Sequence, residues 1–203
     1  MSVRPPQIAV VAMQGDFDKH IVRMTELGAY AYSARLPADI SRADGIILPG
    51  GESTTIGKLM RRYELDEAIA AAHVAGKPIY GTCAGMILLA REITEGTEER
   101  GGQYKLGLLD IRVARNAFGR QVDSFETLID APKVTGQSGP PLEAVFIRAP
   151  VVAWAGKTVD VLARHRNSIV FVRQDTILGS SFHPELTQDS RVHRYFLSMV
   201  TER

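Results

Sequence analysis

The sequence predicts an α/β fold: a mostly parallel central sheet with helices on both faces and an antiparallel extension. Two observations carry that expectation. In the first half, short apolar runs alternate with segments of helical period, as strand–helix units do when their sheet is covered on both sides. In the second half, strand-like segments follow one another too closely for intervening helices, which favours hairpins.

Taken in order, Ile8-Ala9-Val10-Val11-Ala12-Met13 starts the first strand, and Asp16 is a plausible N-cap for the helix that follows. That helix runs through His20, Ile21, Met24 and Leu27 and stops at Gly28, a C-cap residue. A short strand follows at 30–33, then a buried strand, Gly45-Ile46-Ile47-Leu48, ending abruptly at Pro49-Gly50-Gly51. Ser53 or Thr54 can cap one long helix with Ile56, Leu59, Met60, Leu65, Ile69 and Ala72 at helical spacing, closed by Gly76 and Pro78. Ile79-Tyr80-Gly81 begins another strand, and a compact helix runs on through Met86, Leu88, Leu89 and Ile93. Strands are expected at 108–113, 121–129, 144–147, 159–163, 168–173 and 176–181, and a final helix at 189–200. Segments 96–103 and 133–141 read as loops.

With 203 residues, 45% hydrophobic and 23% charged, one domain over residues 1–203 can bury an adequate core. A net charge of +1 and the lack of a basic run argue against nucleic-acid or anionic-membrane partners. The first apolar run is too short, and too soon followed by Asp16 and Asp18, for a secretion signal. No stretch approaches the roughly 20 apolar residues that span a bilayer. A single cysteine excludes an internal disulfide and suits a reducing compartment, so a soluble, cytoplasmic protein is expected.

The chemistry starts at Gly81-Thr82-Cys83-Ala84-Gly85, between a strand and a helix. This is the spacing of a nucleophile elbow with Cys in place of Ser. Its glycines relieve crowding at a sharp turn, and the turn aims the thiol at the carboxyl edge of the sheet. The helix start favours a thiolate and offers the Ala84 N–H to a developing oxyanion. Most free cysteines are merely small buried hydrophobes, and it is the glycines and the setting that distinguish this one. The elbow alone names no reaction.

A cysteine nucleophile needs a base, and the base an orienting partner. Among five histidines, His20 and His73 sit on helices amid charged or small residues and read as solvated, and His193 reads as a surface or packing residue. His165 lies between Arg164 and Arg166, which discourage it from taking a proton. His183 follows an apolar strand and precedes Pro184-Glu185; in an extended segment Glu185 would lie on the same side as His183 and could accept its N–H. Spacing alone serves equally for a strand-end His and a Glu at the start of a helix, and the elbow tips the balance to catalysis. Gly50-Gly51 could be only a tight turn. In a doubly wound sheet, however, its strand neighbours the one ending at Cys83, so the Gly51 N–H could supply a second oxyanion donor. Nothing has metal-ligand spacing.

Together these pieces resemble the class I, triad-type glutamine amidotransferases, a three-layer, flavodoxin-like family. Within it they are similar to the glutaminase subunits of pyridoxal 5′-phosphate synthase. The likeness rests on Ala12-Met13-Gln14-Gly15, Leu48-Pro49-Gly50-Gly51-Glu52-Ser53-Thr54-Thr55, Gly81-Thr82-Cys83-Ala84-Gly85-Met86, the 115–121 stretch RNAFGRQ, Phe146-Ile147-Arg148-Ala149-Pro150 and Phe182-His183-Pro184-Glu185-Leu186. It covers nearly the whole chain. The resemblance implies Cys83 as nucleophile, His183 as base and then acid, and Glu185 as orienter. It implies glutamine contacts from Gly51, Glu52, Ser53, Arg115, Ile147 and Arg148, and an oxyanion hole from the N–H groups of Gly51 and Ala84. It places Gln14 at the contact with the synthase subunit, a (β/α)8 barrel that receives the ammonia, and leaves the glutaminase without metal or cofactor. Met13 stands where the family commonly has Leu, and the loops at 96–103 and 133–141 are somewhat long for it. A glutaminase serving histidine biosynthesis is the nearest rival, opposed by Gly-Glu-Ser-Thr-Thr and RNAFGRQ; an inert module of the same fold is opposed by the joint presence of Cys83, His183 and Glu185.

Overall fold

The computed structural model describes residues 4–94, 103–115 and 124–202. The first half alternates strands and helices as expected: β1 (Gln7–Val11), α1 (Phe17–Glu26), β2 (Tyr30–Ala34), a short α2 (Pro37–Ser41), β3 (Gly45–Leu48), α3 (Ser53–Arg62), α4 (Leu65–Val74), β4 (Ile79–Thr82) and α5 (Ala84–Leu89). It continues with β5 (Ala90–Ile93), β6 (Leu109–Ala114), β7 (Ser124–Ile129), α6 (Pro132–Thr135), β8 (Leu142–Ile147) and β9 (Val151–Ala155). The last elements are β10 (Asp160–His165), β11 (Ser168–Gln174), β12 (Ile177–Ser180), a 3-10 turn (Pro184–Leu186) and α7 (Arg191–Thr201).

The main sheet runs β2-β1-β3-β4-β12-β11-β9-β6-β5, with β10 on β11; β7 and β8 form a separate antiparallel hairpin. From β2 to β12 every neighbour is parallel, and from β12 through β11 and β9 to β6 each pairing is antiparallel. Parallel strands covered on both sides are apolar throughout rather than alternating. In β1, Ala9 and Val11 enter the core beneath α3, α4 and α5, while Ile8 and Val10 face α1 and α7. Ile46 and Leu48 of β3 repeat that division against Ile47. The hairpin sits on the α1/α7 side, where its Leu142, Ala144 and Phe146 join the second core.

Five expectations change. The long helix at 53–72 is two, because Glu64 takes a left-handed conformation (φ 59°) that no α-helix continues through. The helix after Cys83 stops at Leu89, and residues 90–93 turn extended to pair with β6. Ala90, Arg91 and Glu92 are good helix formers, so tertiary pairing overrides local preference here. Strand β9 was not anticipated, although it is the link from β11 to β6. The 133–141 loop opens with the tail of α6, and α2 was also unforeseen. Residues 121–123 of an expected strand, and nearly all of the 96–103 loop, fall outside the described residues.

The register positions the site. Leu48 pairs with Gly81 and Ser180 with Thr82, so β3, β4 and β12 end side by side. Three chain segments leave that edge together: Pro49-Gly50-Gly51, Cys83, and Ser181-Phe182-His183. The Cys83 N–H donates to the Ser180 carbonyl at 2.7 Å, and the His183 N–H to Val145 of β8 at 2.8 Å. Both are thereby fixed to sheet backbone.

Candidate active site

Cys83 sits at the strand-to-helix turn with φ 48° and ψ −103°, a conformation in which an L-residue is strained and persists only where its surroundings dictate it. They do so through glycine. A Cβ on Gly81 would lie 2.6 Å from the Gly85 carbonyl carbon, and one on Gly85 would collide with the Leu48 carbonyl. The elbow therefore closes only because both flanks lack side chains. Cys83 is 7% exposed, its sulfur 4.0 Å from the Ile147 carbonyl oxygen. Ala84 is the first residue of α5, so its N–H has no intrahelical acceptor.

His183 and Glu185 are buried and joined Nδ1 to Oε1 at 2.7 Å. The segment is not extended, as the spacing argument assumed: Pro184 starts a 3-10 turn, and the turn brings the carboxylate beside the ring. Burial opposes charge on His183, but hydrogen bonding to Cys83 and Glu185 outweighs it and pushes the imidazole up to about 10. Burial likewise opposes charge on Glu185, yet His20 and His183 hold it well below the usual carboxylate range. With Glu185 ionised, His183 donates from Nδ1, which leaves Nε2 to deal with the thiol.

His20 corrects the sequence reading. It is fully buried on α1, with Nε2 3.4 Å from Glu185 Oε2 and 3.3 Å from Thr82 Oγ1, and Nδ1 3.0 Å from Nε2 of a fully buried His193. Burial, and the charge His20 can carry, press His193 down to about 3, so His193 is neutral. The available signal was helical phase: His20 and Met24, four apart, are the buried pair of α1. His73 is half-buried rather than solvated. His165 behaves as anticipated, burial and Arg166 lowering its pKa while its ring lies 5.3 Å from Phe125.

A cleft of about 400 Å³ opens above Cys83 and His183. Gln14, Gly51, Glu52, Ser53, Arg115, Ile147 and Arg148 all line it, as do Ile87 and Asp16, the latter expected only as a helix cap. Glu185 lies behind His183 and Ala84 beneath Cys83, so neither reaches the cleft wall. The cap of α3 is Glu52, not Ser53 or Thr54: its carboxylate accepts from the N–H groups of Thr54 (3.0 Å) and Thr55 (2.7 Å) and from the Thr55 hydroxyl (2.7 Å). Those bonds outweigh partial burial and hold Glu52 down to about 2. Asp16 stands at the N-cap of α1 but makes no side-chain cap bond.

The exposed Gln14 accepts the Glu52 N–H at 2.7 Å through Oε1, which lies 2.5 Å from where a Gly51 Cβ would stand. Gly51 has φ 151°, open to glycine and little else. Arg115 donates to the Gln103 side-chain oxygen at 2.6 Å and lies 4.0 Å from Glu52. The rest of the 115–121 motif falls outside the described residues. Among the described residues, no cluster of His, Cys, Asp and Glu could hold a metal, and no helix is long and apolar enough to cross a membrane.

A thiol on a strained elbow and a buried His–Glu pair thus meet at the carboxyl edge of an α/β sheet, under a cleft lined by two carboxylates, Asp16 and Glu52, and two guanidiniums, Arg115 and Arg148. Residues 10–202 match the SNO glutamine amidotransferase family, and the chain belongs to it. It is 52% identical over 195 residues to "Pyridoxal 5′-phosphate synthase subunit PdxT" of Frankia alni, covering 96% of this chain and 95% of that one. The protein of the same name from Carboxydothermus hydrogenoformans is 51% identical, with 96% and 97% covered. A solved structure described as a glutamine amidotransferase superposes with a TM-score of 0.87 at 44% identity, covering 96% of this chain and 98% of the other. PurLQS from Thermotoga maritima, at 18% identity and a TM-score of 0.70 over 97% of this chain and 99% of that one, shares the fold.

Proposed function

We propose that the chain hydrolyses L-glutamine to L-glutamate and ammonia, and hands the ammonia to a pyridoxal 5′-phosphate synthase subunit for vitamin B6 biosynthesis. The observation that carries this reading is the Glu185–His183 pair set against Cys83 under a cleft whose rim holds Glu52 and Arg115. A free amino acid presents an ammonium and a carboxylate, and the rim presents their complements. Glu52, ionised at any physiological pH, takes the α-ammonium; Arg115, steadied by Gln103, takes the α-carboxylate. The side-chain amide then reaches down to the thiol, past Ser53, Ile147 and Arg148.

Cys83 attacks the carboxamide carbon as a thiolate, and the oxyanion is met by the N–H groups of Gly51 and Ala84. His183, protonated on Nε2, gives that proton to the departing nitrogen, and ammonia leaves as the C–N bond breaks. The γ-glutamyl thioester remains. His183, now neutral, takes a proton from water as the water attacks the thioester, and Glu185 holds the ring throughout. Glutamate departs and the thiolate–imidazolium pair is restored.

The names of the relatives at about 50% identity, and Gln14 standing exposed while bonded to the glycine turn, support a synthase partner, in the family's form a (β/α)8 barrel docking near Gln14 in a cytoplasmic complex. No metal or cofactor enters this chemistry. Ammonia release from L-glutamine, measured with and without a pyridoxal 5′-phosphate synthase barrel subunit, tests the reading. Release that appears or rises with the barrel and vanishes in Cys83→Ala is expected. Silence in both conditions would point to an inert module.

A further inference from the structure

The proposed mechanism uses one oxygen of Glu185 and leaves the other unexplained. Oε2 is buried, has no hydrogen-bond partner of good geometry among the described residues, and yet sits 3.4 Å from His20 Nε2 with both side chains closed to solvent. A carboxylate oxygen taken from water without compensation is costly, so whatever faces it matters to where the carboxylate points. His20 is held in place from behind and beside: its Nδ1 meets neutral His193 at 3.0 Å, its Nε2 passes Thr82 Oγ1 at 3.3 Å, and the Tyr80 ring packs edge-on at 6.4 Å. Thr82 is the residue immediately before Cys83, so this second histidine braces the elbow strand as well as the carboxylate.

We infer that His20 is a positioning residue for the glutaminase reaction. Its Nε2–H, shared between Thr82 Oγ1 at 3.3 Å and Glu185 Oε2 at 3.4 Å, faces the carboxylate and thereby fixes the group that orients His183. The donation survives either protonation state of His20. A neutral ring carrying its proton on Nε2 accepts at Nδ1 from His193, and an imidazolium donates at both ends. The chain of contact then reads Cys83, His183, Glu185, His20, His193, running from the cleft floor through the sheet edge to α1 and α7. Glu185 gripped at both oxygens cannot swing away when the charge on His183 changes during turnover. This inference rests on the triad reading above.

Two isosteric substitutions separate positioning from packing. His20→Gln places an amide N–H where Nε2 stands and keeps the bond to Glu185; His20→Asn places its amide near Nδ1, keeps His193 and abandons Glu185. Glutamine hydrolysis is measured for both in complex with the synthase subunit, beside Cys83→Ala, with thermal melts of each. We expect His20→Asn to lose about tenfold or more in kcat with KM within a factor of about two, the size that withdrawing an outer partner from a catalytic group commonly has, and His20→Gln to recover most of it. Equal activities of the two variants, wild-type kcat in His20→Asn, or melting of both below the assay temperature would overturn the inference and leave His20 a structural residue. Ammonia release by Cys83→Ala would instead overturn the triad reading itself.

Discussion

Gly50 offers the most direct test of how the cleft is assembled. It is buried, and a Cβ built on it falls onto His183 Cε1 and within 2.9 Å of Nδ1. Carbon–carbon contacts settle near 3.5–4.0 Å, so in Gly50→Ala the ring must retreat by about 1 Å. His183 is held through the 2.7 Å bond from Nδ1 to Glu185, and its backbone is tied to Val145. The ring can yield only by turning Nδ1 out of line with the carboxylate and Nε2 away from Cys83. Displacements of about 1 Å in a reacting group cost about 10²-fold, equivalent to about 2.7 kcal/mol of transition-state stabilisation. Overpacking itself costs about 1–3 kcal/mol of stability, a modest loss for a chain of this size. Glutaminase assays of the complex should therefore show kcat down by about 10²-fold with little change in KM, since the groups that grip glutamine are untouched. Gly50→Ala at more than half the wild-type kcat would refute the claim that the missing side chain makes room for the base.

Other outcomes follow from the same geometry. Gly85→Ala drives a methyl into the Leu48 backbone, and a fully buried α5 has nowhere to shift, so it should express poorly or melt well below wild type; an unchanged melt would deny the close approach of α5 to β3. Glu52→Ala removes the cap that satisfies two N–H groups of α3, costing about 1 kcal/mol or about 2–4 °C in Tm, and should also raise KM for glutamine many-fold; a changed Tm with unchanged KM would separate the cap from the ligand role. The His183 imidazole is raised from 6.5 to about 10, so its contribution to stability is fully present below pH 6.5 and is lost as pH climbs through about 10. The difference in Tm between wild type and His183→Gln should accordingly shrink between pH 7 and 10, and a constant gap would contradict the assignment.

What the sequence makes legible is what one segment can state by itself. The elbow is a five-residue pattern whose glycines and nucleophile are adjacent in the chain, and His183-Pro184-Glu185 is local too, even though a 3-10 turn rather than an extended segment brings its members together. The parallel half of the sheet was readable because each strand buried on both faces is a continuous apolar run. Two of the misreadings concern pairings across the fold. Residues 90–93 have helix-forming side chains, and only the β6 backbone beside them makes them a strand. Strand β9 has a partner on each side and little in its own five residues to declare it.

The same division runs through the site, at Gly50 and at His20. A glycine pair after a strand invites an explanation from backbone freedom, and Gly51, at φ 151°, fits one. Gly50 is glycine for a reason no local rule contains: the imidazole of His183, on the segment that follows β12, occupies the space its side chain would fill. His20 lies between Lys19 and Ile21 on a helix with charged neighbours, so its polarity seemed to belong to water. Its phase with Met24 placed it inward, and a buried histidine must find polar partners or cost the fold dearly. The partners it finds come from β4, from the 3-10 turn and from α7, three elements that meet only in the folded chain. A buried polar side chain in phase with core residues is thus itself evidence of an unseen network, and here that network ends on the carboxylate behind His183.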